Sequence, residues 1–167
     1  MDTCITDLPA FRLVGHARTV PLVHEGVNPA IAEHVAAIPL EETVRLKGLN
    51  DIEPAGVLAV SDGLDPDRVE GSEFTYLHGV ASTAEVDGLD VVDAAAGTWA
   101  VFRSEGPHPA ALQKAWAATA TEWFPSHPWR LRPGPEIVAT IAFDPEAATA
   151  TCELWLPVEP EAPEPSR

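Results

Sequence analysis

The segment from Trp99 to Pro157 most narrows what this chain can fold into. It opens on Trp99-Ala100-Val101-Phe102, breaks at Gly106-Pro107 and continues as an apolar helix ending in Glu122-Trp123-Phe124-Pro125. Gly134-Pro135-Glu136 then starts a strand, and Glu153-Leu154-Trp155-Leu156-Pro157 closes the last one. A strand, a helix and two further strands fit into fewer than sixty residues, with aromatics and acids sharing strand faces. Such an arrangement can build an aromatic, electronegative pocket suited to cationic or flat apolar molecules.

The upstream half repeats the order. A strand over about residues 9–18 alternates Phe11, Leu13, Gly15 and Ala17 with Arg12, Val14, His16 and Arg18. Asn28-Pro29 is a helix start, with Ile31, Val35 and Ile38 on one stripe until Pro39. A second helical stretch, 40–47, carries Leu40, Val44 and Lys47 and is expected to end at Gly48. Strands at about 55–61 and 73–82 follow, separated by the polar loop from Ser61 to Asp67. In the second half, strands are expected near 97–103, 135–143 and 149–157, with a helix near 109–124. On that helix Leu112, Trp116, Thr119 and Trp123 form a single stripe that must pack on a sheet. The repeat is of topology, not of sequence. It fits an α+β chain of two strand–helix–strand–strand halves with pseudo-twofold symmetry, joined near 83–96.

Composition sets outer bounds. The 167 residues make one domain or two tightly packed halves, and no window is apolar enough for a membrane span. The N-terminus lacks the basic and apolar regions of a secretory signal, so a cytoplasmic protein is expected. Asp and Glu number 26 against 10 Lys and Arg, a formal charge of −16 that repels phosphate backbones and argues against direct nucleic-acid binding. The same field serves solubility, and it would also favour a cationic ligand or a basic protein partner. Cys4 and Cys152 do not make a disulfide framework, and Cys152 reads as a small buried residue. The scattered histidines contain no metal-binding spacing, no nucleophile elbow or phosphate loop is present, and no cofactor is implied.

The wording and order of these pieces resemble the GyrI-like small-molecule-binding family, which includes the effector-binding domains of AraC-type and MerR-type regulators. Glu73-Phe74-Thr75-Tyr76-Leu77-His78-Gly79-Val80 is similar to the family's Phe-x-Tyr-x-x-Gly-Val strand, and Phe11-Arg12-Leu13-Val14-Gly15 to its opening one. The resemblance spans residues 8–158, as halves 8–82 and 97–158, flanked by an expected loose arm at 1–7 and a disordered Pro- and Glu-rich tail at 159–167. It implies antiparallel sheets backed by helices, with a ligand between the halves.

On the last strand, Thr151, Glu153 and Trp155 share one face while Cys152, Leu154 and Leu156 share the other. The uniformly apolar set must meet the helix-side core. That leaves Glu153 and Trp155 for the cleft, or for an ordinary sheet edge. The resemblance adds Trp99 as a pocket aromatic with Phe102 as core, and Trp123 as either core or pocket margin; Tyr76 is expected to face the ligand from the other half, because a buried phenol needs a partner and the cleft supplies one. His78 reads as a structural histidine. Family members often carry Pro-Glu-x-Glu before an aromatic, the second acid anchoring a cation. Here Pro135-Glu136-Ile137-Val138-Ala139-Thr140 replaces that acid by Val138, and Glu136 is expected to be the more exposed of the two.

The function expected, ahead of an enzymatic one, is a stand-alone protein that senses or sequesters a small aromatic compound, neutral, weakly basic or cationic, in a cleft between its two halves. Two alternatives accompany it. A hydrolase of reactive, DNA-alkylating aromatics would use Glu153 as general base on a water. An acidic inhibitor would contact a basic enzyme such as DNA gyrase. The surface leaves room for a protein partner or a homodimer.

Overall fold

The structure is a computed structural model and describes residues 2–162. Nine strands form one antiparallel sheet: β1 (Thr3–Leu8), β2 (Phe11–Pro21), β3 (Leu58–Asp62), β4 (Glu73–Ser82), β5 (Asp90–Ala94), β6 (Gly97–Pro107), β7 (Trp129–Leu131), β8 (Glu136–Asp144) and β9 (Thr149–Pro160). Their order is β1-β6-β9-β8-β3-β4-β2-β5, with β7 paired to β9. Helices α1 (Pro29–Ala36) and α2 (Leu40–Leu49) lie between β2 and β3, and α3 (Ala110–Ala118) follows β6. The α+β class expected from the sequence is present. Within the sheet the trios β2, β3, β4 and β6, β8, β9 are arranged alike, and their second strands, β3 and β8, pair antiparallel at the centre.

Three sequence expectations change. Residues 3–8 are not a loose arm but strand β1, paired with β6 from Thr3↔Phe102 to Leu8↔Gly97. The joining segment contains β5, which pairs with β2. The expected tail is strand through Pro160, and its residues 163–167 lie outside those described.

These two extra strands dictate the shape of the sheet. Six inter-strand steps separate β1 from β2 in the strand order, about 29 Å if the sheet were flat. Yet only Pro9 and Ala10 connect them, a reach of at most about 11 Å. The link from β5 to β6 is just as short, Ala95 and Ala96, over an equal separation. The sheet must therefore roll until its ends approach. Phe11 of β2 and Trp99 of β6 touch across the roll, ring centroids 5.8 Å apart. Leu13, Leu58, Val60, Leu77, Ile137 and Trp155 fill the same interior.

The opposite face carries the helices. Asn28 caps α1, its side chain accepting from the N–H groups of Ala30 and Ile31, and Ile31 and Val35 pack over Phe74 and Tyr76. Helix α2 runs through Gly48 to Leu49 and buries Leu46 against Val14 and Val80, leaving Leu40 and Val44 exposed. Helix α3 continues through a π-helical turn, Thr119–Trp123, into a last turn at Phe124–Ser126. Its expected stripe holds: Leu112 and Trp116 pack against Phe102, Val138 and Leu154, while Thr119 and Trp123 are buried.

The two strands that carry the family wording meet at a glycine pair. Gly15 of β2 and Gly79 of β4 stand opposite each other in register. A Cβ on Gly15 would lie 2.1 Å from the His78 carbonyl oxygen, and one on Gly79 2.2 Å from that of Val14. Backbone cannot yield as a flexible side chain can. Gly79→Ala should cost about 2–3 kcal/mol in urea denaturation; a loss below about 0.5 kcal/mol would contradict the close approach.

Candidate functional site

Directly opposed residues of antiparallel strands project to one face, so the register builds rows across the helix side. One row runs Arg18, Tyr76, Ser61 and Glu136 over β2, β4, β3 and β8. The neighbouring row runs His16, His78, Ala59, Val138 and Leu154. Ala59 packs against both the α1-side and the α3-side clusters, so a small side chain marks the boundary between the two helical layers.

Glu136 is the centre of this site. Contrary to the exposure expected at the start of its strand, it is 4% exposed, the single buried carboxylate among the described residues. Its Oε1 accepts from the indole N–H of Trp116 at 2.9 Å, and its Oε2 from the Arg68 guanidinium at 2.5 Å. Trp116 comes from α3, and Arg68 from the loop between β3 and β4. Both lie far away in sequence, and they cover an acid that the strand alone would leave open. Burial of such a charge is tolerable only with these partners.

Tyr76, 6% exposed, walls the other side and meets the His34 ring edge-on at 6.0 Å between centroids. Burial pushes its phenol up to about 12. His78 pairs with Thr43 Oγ1 at 3.3 Å, and burial, then the charges of His34 and His16, hold its imidazole below the ordinary value. Gln113 of α3 grips the Gly26 peptide ahead of α1, accepting its N–H at 3.0 Å and donating to its carbonyl at 2.8 Å. The two layers are thereby linked directly.

The residues singled out from sequence do not all share this face. Tyr76 does. Trp123 lies on the helix side but toward β6, edge-on to Phe102 at 5.0 Å and stacked on His127 at 4.6 Å. Trp99 and Trp155, 0% and 7% exposed, point the other way, into the rolled interior. Arg132 covers the Trp99 ring at 5.0 Å. Glu153 is half-buried on that same opposite side, across from Arg103 and Ala139. Alternation along the strand correctly separated the two sets. Not anticipated was the bonded cluster of Glu136, Trp116 and Arg68, of which Glu136 carried a signal: it shares the strand face of Val138. No group of three or more His, Cys, Asp or Glu among the described residues could hold a metal ion. None of their helices is long and apolar enough to cross a membrane.

Residues 1–159 match the GyrI-like small molecule binding domain. The chain belongs to the GyrI-like family. Among solved structures it is similar to SAV2435, captured with tetraphenylphosphonium: 20% identity, a TM-score of 0.72, covering 95% of this chain and 94% of that one. It also resembles a protein of Staphylococcus aureus (20% identity, TM-score 0.65, covering 95% and 99%). A third likeness is to the C-terminal domain of EcmrR (16% identity, TM-score 0.59, covering 95% and 98%). The chain spans 57% of the longer EcmrR chain seen in a complex with DNA. No curated protein matches the sequence. This GyrI-like domain is thus a small-molecule-binding domain, with an antiparallel sheet and three helices.

The sequence contains one tyrosine, which makes the Tyr76 environment directly measurable. Phenolate absorbance of the native protein should stay low past pH 10 and rise only near 12. Because the folded value is raised, the stability Tyr76 contributes is complete below about 10 and is lost between there and 12. A phenolate transition near pH 10 without unfolding would contradict its burial.

Proposed function

We propose that this domain senses or sequesters an aromatic monocation held on the helix face between α1 and α3. Glu136 is the counter-charge, with Tyr76 and Trp116 as aromatic walls. The observation that carries the reading is the buried Glu136 carboxylate, already bonded to an indole and facing a cation. A desolvated carboxylate flanked by π faces attracts a delocalised cation by charge and quadrupole together. The likeness to SAV2435, a structure holding tetraphenylphosphonium, supports the ligand class. Val138 in place of the family's second acid leaves a single negative charge, which matches a singly charged or weakly basic aromatic better than a dication. Trp99, Glu153 and Trp155 are given no ligand contact in this reading, and Trp123 only a supporting place beneath α3.

Tetraphenylphosphonium titrated against tryptophan fluorescence tests it. Saturable quenching is expected, and Glu136→Gln should weaken it about 10- to 100-fold, the equivalent of roughly 1.5–3 kcal/mol for a charged contact. Trp155→Phe should lower thermal stability while leaving the affinity intact. Quenching that does not saturate, or an affinity untouched in Glu136→Gln, would refute the site.

A further inference from the structure

Arg68 reaches Glu136 from a loop that otherwise lies on the surface. It does so at a φ of 53°, in the left-handed region that residues other than glycine adopt only at a cost. Most of the loop's fastenings are exposed to water. The Arg68 carbonyl accepts from His24 Nε2 at 2.6 Å, Glu70 Oε2 accepts from the His24 N–H at 2.9 Å, and the Gly71 N–H reaches Leu22 O at 2.9 Å. Its inward tethers are Leu64, packed near Tyr76, and the guanidinium on Glu136.

The Glu136 carboxylate carries one negative charge and already has one cation on it. Trp116 holds one oxygen and Arg68 the other. A ligand cation added beside Arg68 would leave a buried positive charge unbalanced, a state of high cost. Exchange for Arg68 keeps the buried pair neutral. The Arg68 side chain is already 34% exposed, and Asp65, Asp67 and Glu70 of its own loop would receive it at the surface.

We propose that Arg68 is a built-in occupant of the Glu136 anchor, and that a cationic ligand binds by exchanging with its guanidinium and releasing the 63–72 loop. The inference rests on Glu136 being the ligand's counter-charge. Arg68 then sets the affinity threshold: the apparent dissociation constant is the intrinsic one divided by the fraction of molecules whose arginine is out.

Tetraphenylphosphonium is the probe, applied to the wild type, Glu136→Gln, Arg68→Gln and the double variant. Arg68→Gln should bind at least about ten-fold more tightly than the wild type, and the gain should vanish in the double variant. In the wild type, which needs no altered fold, the bound probe should speed tryptic cleavage after Arg68. Cleavage that is slowed or unchanged by saturating probe overturns the exchange even if Arg68→Gln does not fold. Equal or weaker binding by folded Arg68→Gln, with Glu136→Gln still weakening binding relative to the wild type, overturns the exchange and leaves the anchor standing. Binding indifferent to both residues removes the anchor and the exchange together.

Discussion

Two links of two residues each, Pro9-Ala10 and Ala95-Ala96, govern this architecture. Each joins strands that the hydrogen-bonding order holds six steps apart, so the sheet cannot lie flat. Rolling it turns the face without helices into an interior, where Trp99 and Trp155 are buried with Phe11, Leu13 and Val60. Burying such aromatics contributes the largest single hydrophobic terms a chain this size has. The face with helices becomes the outside of the roll, and its two helical layers meet over the central strands β3 and β8.

That division also sorts the side chains by polarity. Inside, the buried side chains are apolar, apart from two indole N–H groups, on Trp99 and Trp155, that have no hydrogen-bond partner. Outside, between the layers, sits a small polar constellation of Glu136, Trp116, Arg68, Tyr76 and His34. Its groups come from β8, α3, the β3–β4 loop, β4 and α1. A site assembled from both halves responds to any change in how they meet.

Much of the fold was legible because strand and helix periodicity are local. Alternation on β9 correctly set Cys152, Leu154 and Leu156 against the helix core, and the α3 stripe and the Asn28 cap were readable residue by residue. What alternation cannot say is what covers the other face. With 1–7 read as an arm and 83–96 as a linker, the face of Trp155 looked open, and a cleft was the natural place for it. Recognising β1 and β5 would have supplied the short links, hence the roll, hence the burial. Glu136 was misread for a related reason. Its cover comes from Arg68, 68 residues upstream, and from Trp116 on another element, and neither is encoded in the strand that carries the acid.

The grip of Gln113 on the Gly26 peptide has a mechanical meaning. Both of its hydrogen bonds are exposed to solvent, so water can replace them at almost no net cost. The clasp fixes where the helical layers sit without resisting their separation. The sheet beneath is cross-braced by ladders and rolled onto a packed interior, and it does not stretch easily. Spacing between the helical layers is therefore the least braced distance in the molecule, set by two replaceable hydrogen bonds above a floor that stays in place.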